Sequence, residues 1–214
     1  MSETTDSSGI KLNMLLARAG LDPLDHLLID RFQDYLSLLM RWNARVNLTA
    51  IRDEEGILSR HFVESIACAR ALPPEIATLL DFGSGAGFPG IPIALCRSQI
   101  SVTLAESHGK KAAFLREAVR VLGISSNIYA ERAELLSKQF DCVTLRAVDK
   151  MPQAVRVASR LVAPGGWLAL MTTTQAFGAL EAAAGPEISW RTQLPLPESA
   201  DGLMALGTKG ADPS

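Results

Sequence analysis

The chain has 214 residues, enough for one domain with a sizeable core and a modest extension. Hydrophobic residues make up 48% and charged residues 21%, and no run approaches the ~18 consecutive apolar residues of a membrane span. A formal charge of −2 excludes a generally basic surface, so any contact with nucleic acid must come from a local patch. The polar, acidic start (Met1 to Gly9) lacks the basic-then-apolar pattern of a secretion signal, so a cytoplasmic protein is expected. Cys68, Cys96 and Cys142 form no Cys-x-x-Cys pair and sit in apolar surroundings, which reads as buried free thiols. No residue cluster has zinc or iron spacing, so no metal is expected.

In chain order, residues 1–9 read as a disordered tail. Leu12, Leu15, Leu16 and Ala19 suit a short helix stopped at Gly20. Asp22 as N-cap, Pro23 at the first helical position and Asp25 in the first turn start a second one. Leu28, Phe32, Tyr35, Leu39 and Trp42 then recur at alternating steps of four and three, giving one apolar stripe. Asn43 to Thr49 breaks it, and Asp53-Glu54-Glu55 opens a third helix with Ile57, His61, Ser65 and Cys68 near one face and Arg60/Glu64 at i,i+4. Residues 10–74 are therefore expected to form a helical cap whose stripe needs a surface to cover.

Residues 75–214 alternate between strand-like and helical patterns. Apolar runs at 76–82, 100–106, 126–130, 140–146 and 165–171 are separated by helical stretches at 89–97, 108–122 and 149–162. That rhythm predicts an α/β fold, a parallel sheet with helices on both faces. A helix at 174–184 and strands near 187–194 and 201–208 make a terminal hairpin.

The first strand runs into Asp81-Phe82-Gly83-Ser84-Gly85-Ala86-Gly87-Phe88-Pro89-Gly90, a glycine turn at a helix start. Such a turn brings unpaired backbone N–H groups close to a ligand. The dinucleotide pattern Gly-x-Gly-x-x-Gly would need glycine where Phe88 stands, so an oxidoreductase is disfavoured. Asp81-x-Gly83-x-Gly85-x-Gly87 instead resembles the first motif of S-adenosylmethionine (SAM)-dependent methyltransferases. Glu106, ending the second strand about 20 residues on, is the acid expected at the ribose hydroxyls.

Several islands together resemble the GidB (RsmG) family of bacterial 16S rRNA (guanine-N7)-methyltransferases. They are Arg41-Trp42-Asn43 with Val46-Asn47-Leu48-Thr49, Arg60-His61-Phe62-Val63-Glu64-Ser65, the Gly-Phe-Pro-Gly-Ile-Pro extension Gly87 to Pro92, Glu106-Ser107-His108-Gly109-Lys110-Lys111, Arg132-Ala133-Glu134 and Leu145-Arg146-Ala147. The resemblance implies a Rossmann-like class I methyltransferase sheet, mostly parallel, of seven strands with the last antiparallel, as a SAM-binding domain over 75–214. It further implies that Gly83, Gly85 and Gly87 line the methionyl end of SAM, that Phe88 walls the pocket and that Glu106 takes the ribose. Ala133 and Glu134 would meet the adenine. Arg146, the catalytic candidate, would reach the methionyl carboxylate or the incoming RNA. The partner implied is 16S rRNA or the small ribosomal subunit, met by a monomer through Arg41, Arg45, Arg60, Lys110 and Lys111, with Arg52 and Arg116 nearby.

Plainer readings stand beside these. Arg132/Glu134 and the arginine scatter also suit solvated surface, His61 a packed histidine and Phe88 simple core. Asp81 suits either the glycine loop's own backbone or a ligand. Arg146, ending an apolar strand, requires an acceptor in any case. Thr144-Leu145-Arg146-Ala147 lacks the Asn/Asp-Pro-Pro-aromatic signature of exocyclic-amine methyltransferases, in keeping with a ring nitrogen that needs no base. One departure is Leu170-Met171-Thr172-Thr173-Thr174 where the family shows Lys-Gly after the fifth strand. A methyltransferase of a small molecule or protein, and a non-catalytic SAM-binding module, remain the alternatives.

Overall fold

The computed structural model describes residues 3–211. Helix α1 (Glu3–Arg18) takes in most of the segment expected to be a tail, leaving Met1 and Ser2 outside the described residues. Gly20, at φ +69°, follows its end. Helix α2 (His26–Asn43) starts later than the Asp22-Pro23 signal suggests: Asp25 is the N-cap, accepting from the Leu28 N–H at 2.9 Å. The link before it is held by Asn13, whose side chain bonds both the N–H and the carbonyl of Leu24. A tertiary contact thus overrides a good local start signal. Asp53 caps α3 (Glu54–Gly56) as expected, but a π-helical stretch (Ile57–Val63) intervenes before α4 (Glu64–Ala71).

Strand β1 (Thr78–Phe82), helix α5 (Gly90–Cys96), β2 (Ser101–Ala105), α6 (Gly109–Leu122), β3 (Asn127–Tyr129), β4 (Phe140–Arg146), α7 (Met151–Leu161), β5 (Val162–Thr173), α8 (Thr174–Ala184), β6 (Ile188–Pro195) and β7 (Gly202–Lys209) follow. The seven strands form one sheet in the order β3-β2-β1-β4-β5-β7-β6. All neighbouring pairs are parallel except those of β7, which runs antiparallel to β5 and β6. The expected parallel sheet with a terminal hairpin is the observed one.

Successive strand residues face opposite sides of a sheet, and the core divides accordingly. Leu79, Val102, Leu104, Cys142 and Ala169 join α5, α6 and the cap in one apolar cluster. Leu80, Val143, Leu145, Leu168 and Leu170 pack with α7 and α8 in the other. The stripe on α2 finds its surface in an aromatic cluster: Tyr35 lies 5.3 Å from Phe62, 5.4 Å from Phe88 and 6.5 Å from Phe114 between ring centroids. Trp42 sets its ring edge-on to Phe114 at 5.8 Å and donates its indole N–H to Glu117 at 2.9 Å. Each fully buried side chain of this kind contributes about 1.5–3 kcal/mol. An exposed pair such as Lys11–Glu54, at 3.4 Å, contributes about 0–1 kcal/mol. Ring burial therefore holds the cap in place.

Candidate active site

The carboxyl ends of β1, β2 and β4 open into a cavity of about 760 Å³, roofed by the Leu48–Ile51 loop and His61 of the cap. Open α/β sheets place ligands at this end of their strands. After Phe82 the chain turns through Gly83 (φ +71°), Gly85 (φ +57°) and Gly87 (φ +91°), a left-handed geometry that favours glycine. Gly83 and Gly85 line the cavity; Gly87 does not. A Cβ on Gly87 would come within 2.4 Å of Ile91 Cδ1 and 2.8 Å of Tyr35 Oη. Its smallness serves packing, which corrects the expectation that it lines the methionyl end. Tyr35 donates its hydroxyl proton to the carbonyl of Ala86 at 2.5 Å, so the cap pins the turn.

Asp81, left open by the sequence, serves the protein itself. It is 1% exposed and accepts from the N–H of Gly90 at 3.2 Å and the hydroxyl of Thr144 at 3.0 Å. That anchors the start of α5 to β1 and β4. Burial pushes its carboxyl up to about 6, against the pull of these hydrogen bonds and of Arg146.

Glu106 follows β2 and reaches back across the turn. Its Oε2 accepts from the N–H of Gly85 at 3.0 Å and its Oε1 from that of His108 at 2.7 Å, and both Glu106 and Gly85 line the cavity. Ala133, buried, and Glu134, exposed, lie in a 3₁₀ turn (Ala133–Leu135) beyond β3 and line the same cavity. Among the described residues, Glu134 is paired only with exposed Arg132, at 3.5 Å. Phe88 is both wall and core: it lines the cavity, is 6% exposed, and stacks on His61 at 4.6 Å.

Arg146 ends β4 at the cavity, and protein groups take three of its donors. The guanidinium donates to Glu64 Oε2 at 2.6 Å, to the carbonyl of Arg60 at 2.5 Å and to Ser65 Oγ at 3.4 Å. Glu64 is 2% exposed, and its other oxygen accepts from Arg60 Nε at 2.8 Å. Sequence reasoning saw the Arg60/Glu64 spacing but missed the cross-link to β4. The signal was there: a carboxylate on the apolar side of a cap helix and an arginine ending an apolar strand need each other. His61, expected as a packed histidine, stacks on Phe88, lies with Nε2 2.7 Å from Thr49 Oγ1 and also lines the cavity. Burial, aided by the positive charges of Arg146 and Arg60, pushes its imidazole down to about 3.

Of the basic candidates, Lys111 alone lines the cavity unengaged by a carboxylate among the described residues. Arg60 is committed to Glu64, and Arg52 to the Asn47 side-chain carbonyl at 2.7 Å. Arg41, Arg45, Lys110 and Arg116 are exposed and lie outside the cavity wall. At the end of β5, where the resemblance would put a lysine, Thr173 caps α8 by accepting from the N–H of Ala176 at 3.2 Å. Cys68 and Cys142 are buried and Cys96 half-buried, all three free thiols.

Residues 28–189 match the family described as GidB, rRNA small subunit methyltransferase G. The ribosomal RNA small subunit methyltransferase G of Roseiflexus sp. (strain RS-1) is 43% identical over 171 residues, covering 72% of this chain and 73% of that one. The protein of the same name from Stenotrophomonas maltophilia (strain K279a) is 45% identical over 161 residues, covering 73% of each. Among solved structures, a SAM-dependent O-methyltransferase from Thermotoga maritima superposes with a TM-score of 0.56 at 17% identity, over 71% of this chain and 66% of that one. P. horikoshii TYW2 in complex with MeSAdo gives 0.58 at 14% identity, over 71% of this chain and 63% of that one. These two likenesses establish a methyltransferase fold and nothing finer. The sequence match, spanning the cap, the glycine turn and the sheet as far as β6, settles the family: the chain belongs to the GidB family of small-subunit rRNA methyltransferases.

Proposed function

We propose that this protein transfers a methyl group from SAM to N7 of a guanine in 16S rRNA of the small ribosomal subunit. The observation that carries the reading is Glu106: a carboxylate fixed to the glycine turn, facing a cavity of about 760 Å³ at the carboxyl ends of the strands. These residues fit SAM. Gly83 and Gly85 leave the backbone bare beside the ligand space, and Glu106 suits a ribose diol. Glu134 suits an exocyclic amine, with the Ala133 backbone beside it. When bound, SAM supplies a methyl group on a sulfonium centre, an electrophile that needs no activation by acid.

Guanine N7 carries a free lone pair, so the protein has no proton to remove from it. His61 fits that view: burial beside Arg146 and Arg60 pushes its imidazole down to about 3, which makes it a weak base. The work left to the chain is alignment and electrostatics. Phe88 walls the space between cofactor and target, and Arg146 presents its unspent N–H donors to the acceptors of the purine or of the methionyl carboxylate. Arg41, Arg45, Lys110 and Lys111 supply phosphate contacts, while Arg60 is held by Glu64. The protein works as a monomer in the cytoplasm, where its substrate is.

The test is methyl transfer from labelled SAM to deproteinised 16S rRNA and to intact small subunits in parallel, with the modified base mapped. Label in N7-methylguanosine is the expected result, and the better acceptor identifies the stage at which the enzyme acts. SAM binding without transfer to either RNA overturns the reading in favour of a small-molecule methyltransferase or a binding module.

A further inference from the structure

A buried charge cluster joins the cap to the catalytic sheet. Glu64, the first residue of α4, has both carboxylate oxygens engaged by arginines, Arg60 Nε at 2.8 Å and Arg146 Nη2 at 2.6 Å. Arg146 is 13% exposed in its side chain and Glu64 2%, so the pair sits in a medium where unpaired charge is costly. The π-helical stretch supplies a third contact. It holds the carbonyl of Arg60 where Arg146 Nη2 reaches it at 2.5 Å, while Ser65 Oγ lies 3.4 Å from Nη1. Local π geometry inside a helix commonly marks a functional constraint.

A guanidinium has five N–H donors in a rigid fork. Three are spent on Glu64, Arg60 and Ser65. Two remain, on a residue that lines the cavity. The cap therefore fixes the plane of the fork and, with it, the direction of the remaining donors. Charge matters as well as direction. Methyl transfer to N7 moves positive charge from the cofactor onto the purine, and a bare buried cation beside it would oppose that movement. Glu64, shared with Arg60, offsets part of the charge of Arg146 without removing its donors.

We propose that Glu64 is a positioning residue for methyl transfer, acting through Arg146: it orients the fork toward the purine and offsets its charge. This rests on the function proposed above, because it presupposes a purine as acceptor. A carboxylate needed only to stabilise the cap would make a different prediction, since stability and rate would then fall together.

The test measures methyl transfer to small subunits by wild type, Glu64→Gln, Glu64→Asp, Arg146→Gln and the double variant, with SAM affinity by calorimetry and Tm alongside. Glu64→Gln is expected to lose about 10²-fold in kcat, the scale of a misplaced catalytic group, with KM for RNA and Kd for SAM within threefold of wild type. Glu64→Asp, which keeps the charge on a shorter arm, falls between wild type and Glu64→Gln. The double variant is no slower than Arg146→Gln, because both changes remove one function. Wild-type kcat in folded Glu64→Gln, additive losses in the double variant, or a loss confined to KM overturns the proposal. Should Glu64→Gln fail to fold, wild-type kcat in Glu64→Asp overturns it equally. Wild-type enzyme that methylates no rRNA overturns the functional reading itself, an outcome read without any variant.

Discussion

Burial pushes the carboxyl of Asp81 up to about 6 and the imidazole of His61 down to about 3. The native protein holds a proton on Asp81 that the unfolded chain releases from its ordinary 3.8 upward, so this group costs stability as pH rises toward 6. His61 works the other way: the unfolded chain takes a proton below 6.5, the native protein only near 3, so stability falls as pH drops through that window. Where the windows overlap the two slopes oppose, and His61→Gln separates them. The stability of wild type relative to His61→Gln should decline from pH 6.5 toward 3 with a slope of at most about 1.4 kcal/mol per pH unit. Urea midpoints over that range check it, and a pH-independent difference means that His61 is protonated in the native state. Glu106 poses a different question, since its carboxylate both faces the ligand space and ties down Gly85 and His108. Glu106→Ala should weaken SAM binding by about 1.5–3 kcal/mol, one charge-assisted hydrogen bond. Calorimetry decides, and unchanged affinity removes Glu106 from the cofactor site.

The elements differ in how far their sequence announces them. Strands and sheet helices carry their period and their punctuation locally. The runs from Leu79 to Phe82 and from Cys142 to Leu145 are buried on both faces, and glycine or proline marks the turns between several such elements, so a parallel sheet with a terminal hairpin was legible, though not the order of its strands. The start of α2 was not, because Asp22-Pro23 is a sound local signal that loses to Asn13 gripping Leu24 across the turn. The π-helical stretch was hidden for another reason: Arg60 and Glu64 suit i,i+4 spacing in an ordinary helix, and nothing in a single sequence reveals a wider turn between them. At the site, the glycine turn and Glu106 were legible as a motif, whereas the division of labour within it was not. Gly83 and Gly85 face the cavity while Gly87 makes room for Ile91 and Tyr35, a distinction set by a residue of α2 far away in the chain. Arg146 announced that it needed an acceptor, but the acceptor stands 82 residues earlier, and no local pattern names it.

On the scale of the whole molecule, a protein of net charge −2 must approach one of the most negatively charged substrates in the cell. At ~0.15 M salt charges act over a Debye length of about 8 Å, so the local arrangement around the cavity mouth outweighs the sum. Arg60 offers less here, since its guanidinium is engaged by the Glu64 carboxylate that it shares with Arg146, and Arg52 leans on Asn47. Arg41 and Arg45, in the last turn of α2 and just beyond, are exposed, and they follow the stripe that seats the cap on Phe88 and Phe114. Their positions suit phosphate contacts that set register rather than base choice. Reversing both to Glu should raise KM for RNA and flatten its dependence on salt, by about 0.7–0.9 in log–log slope for each phosphate that the protein no longer neutralises. SAM affinity should not change, because neither residue touches the cavity. Methyl transfer measured against small subunits over a salt series reads both quantities at once. A higher KM with a shallower slope assigns the end of α2 to the RNA. An unchanged slope assigns the approach to Lys110, Lys111 and Arg116 of α6, and leaves the cap to support the cavity through Tyr35, His61 and Glu64.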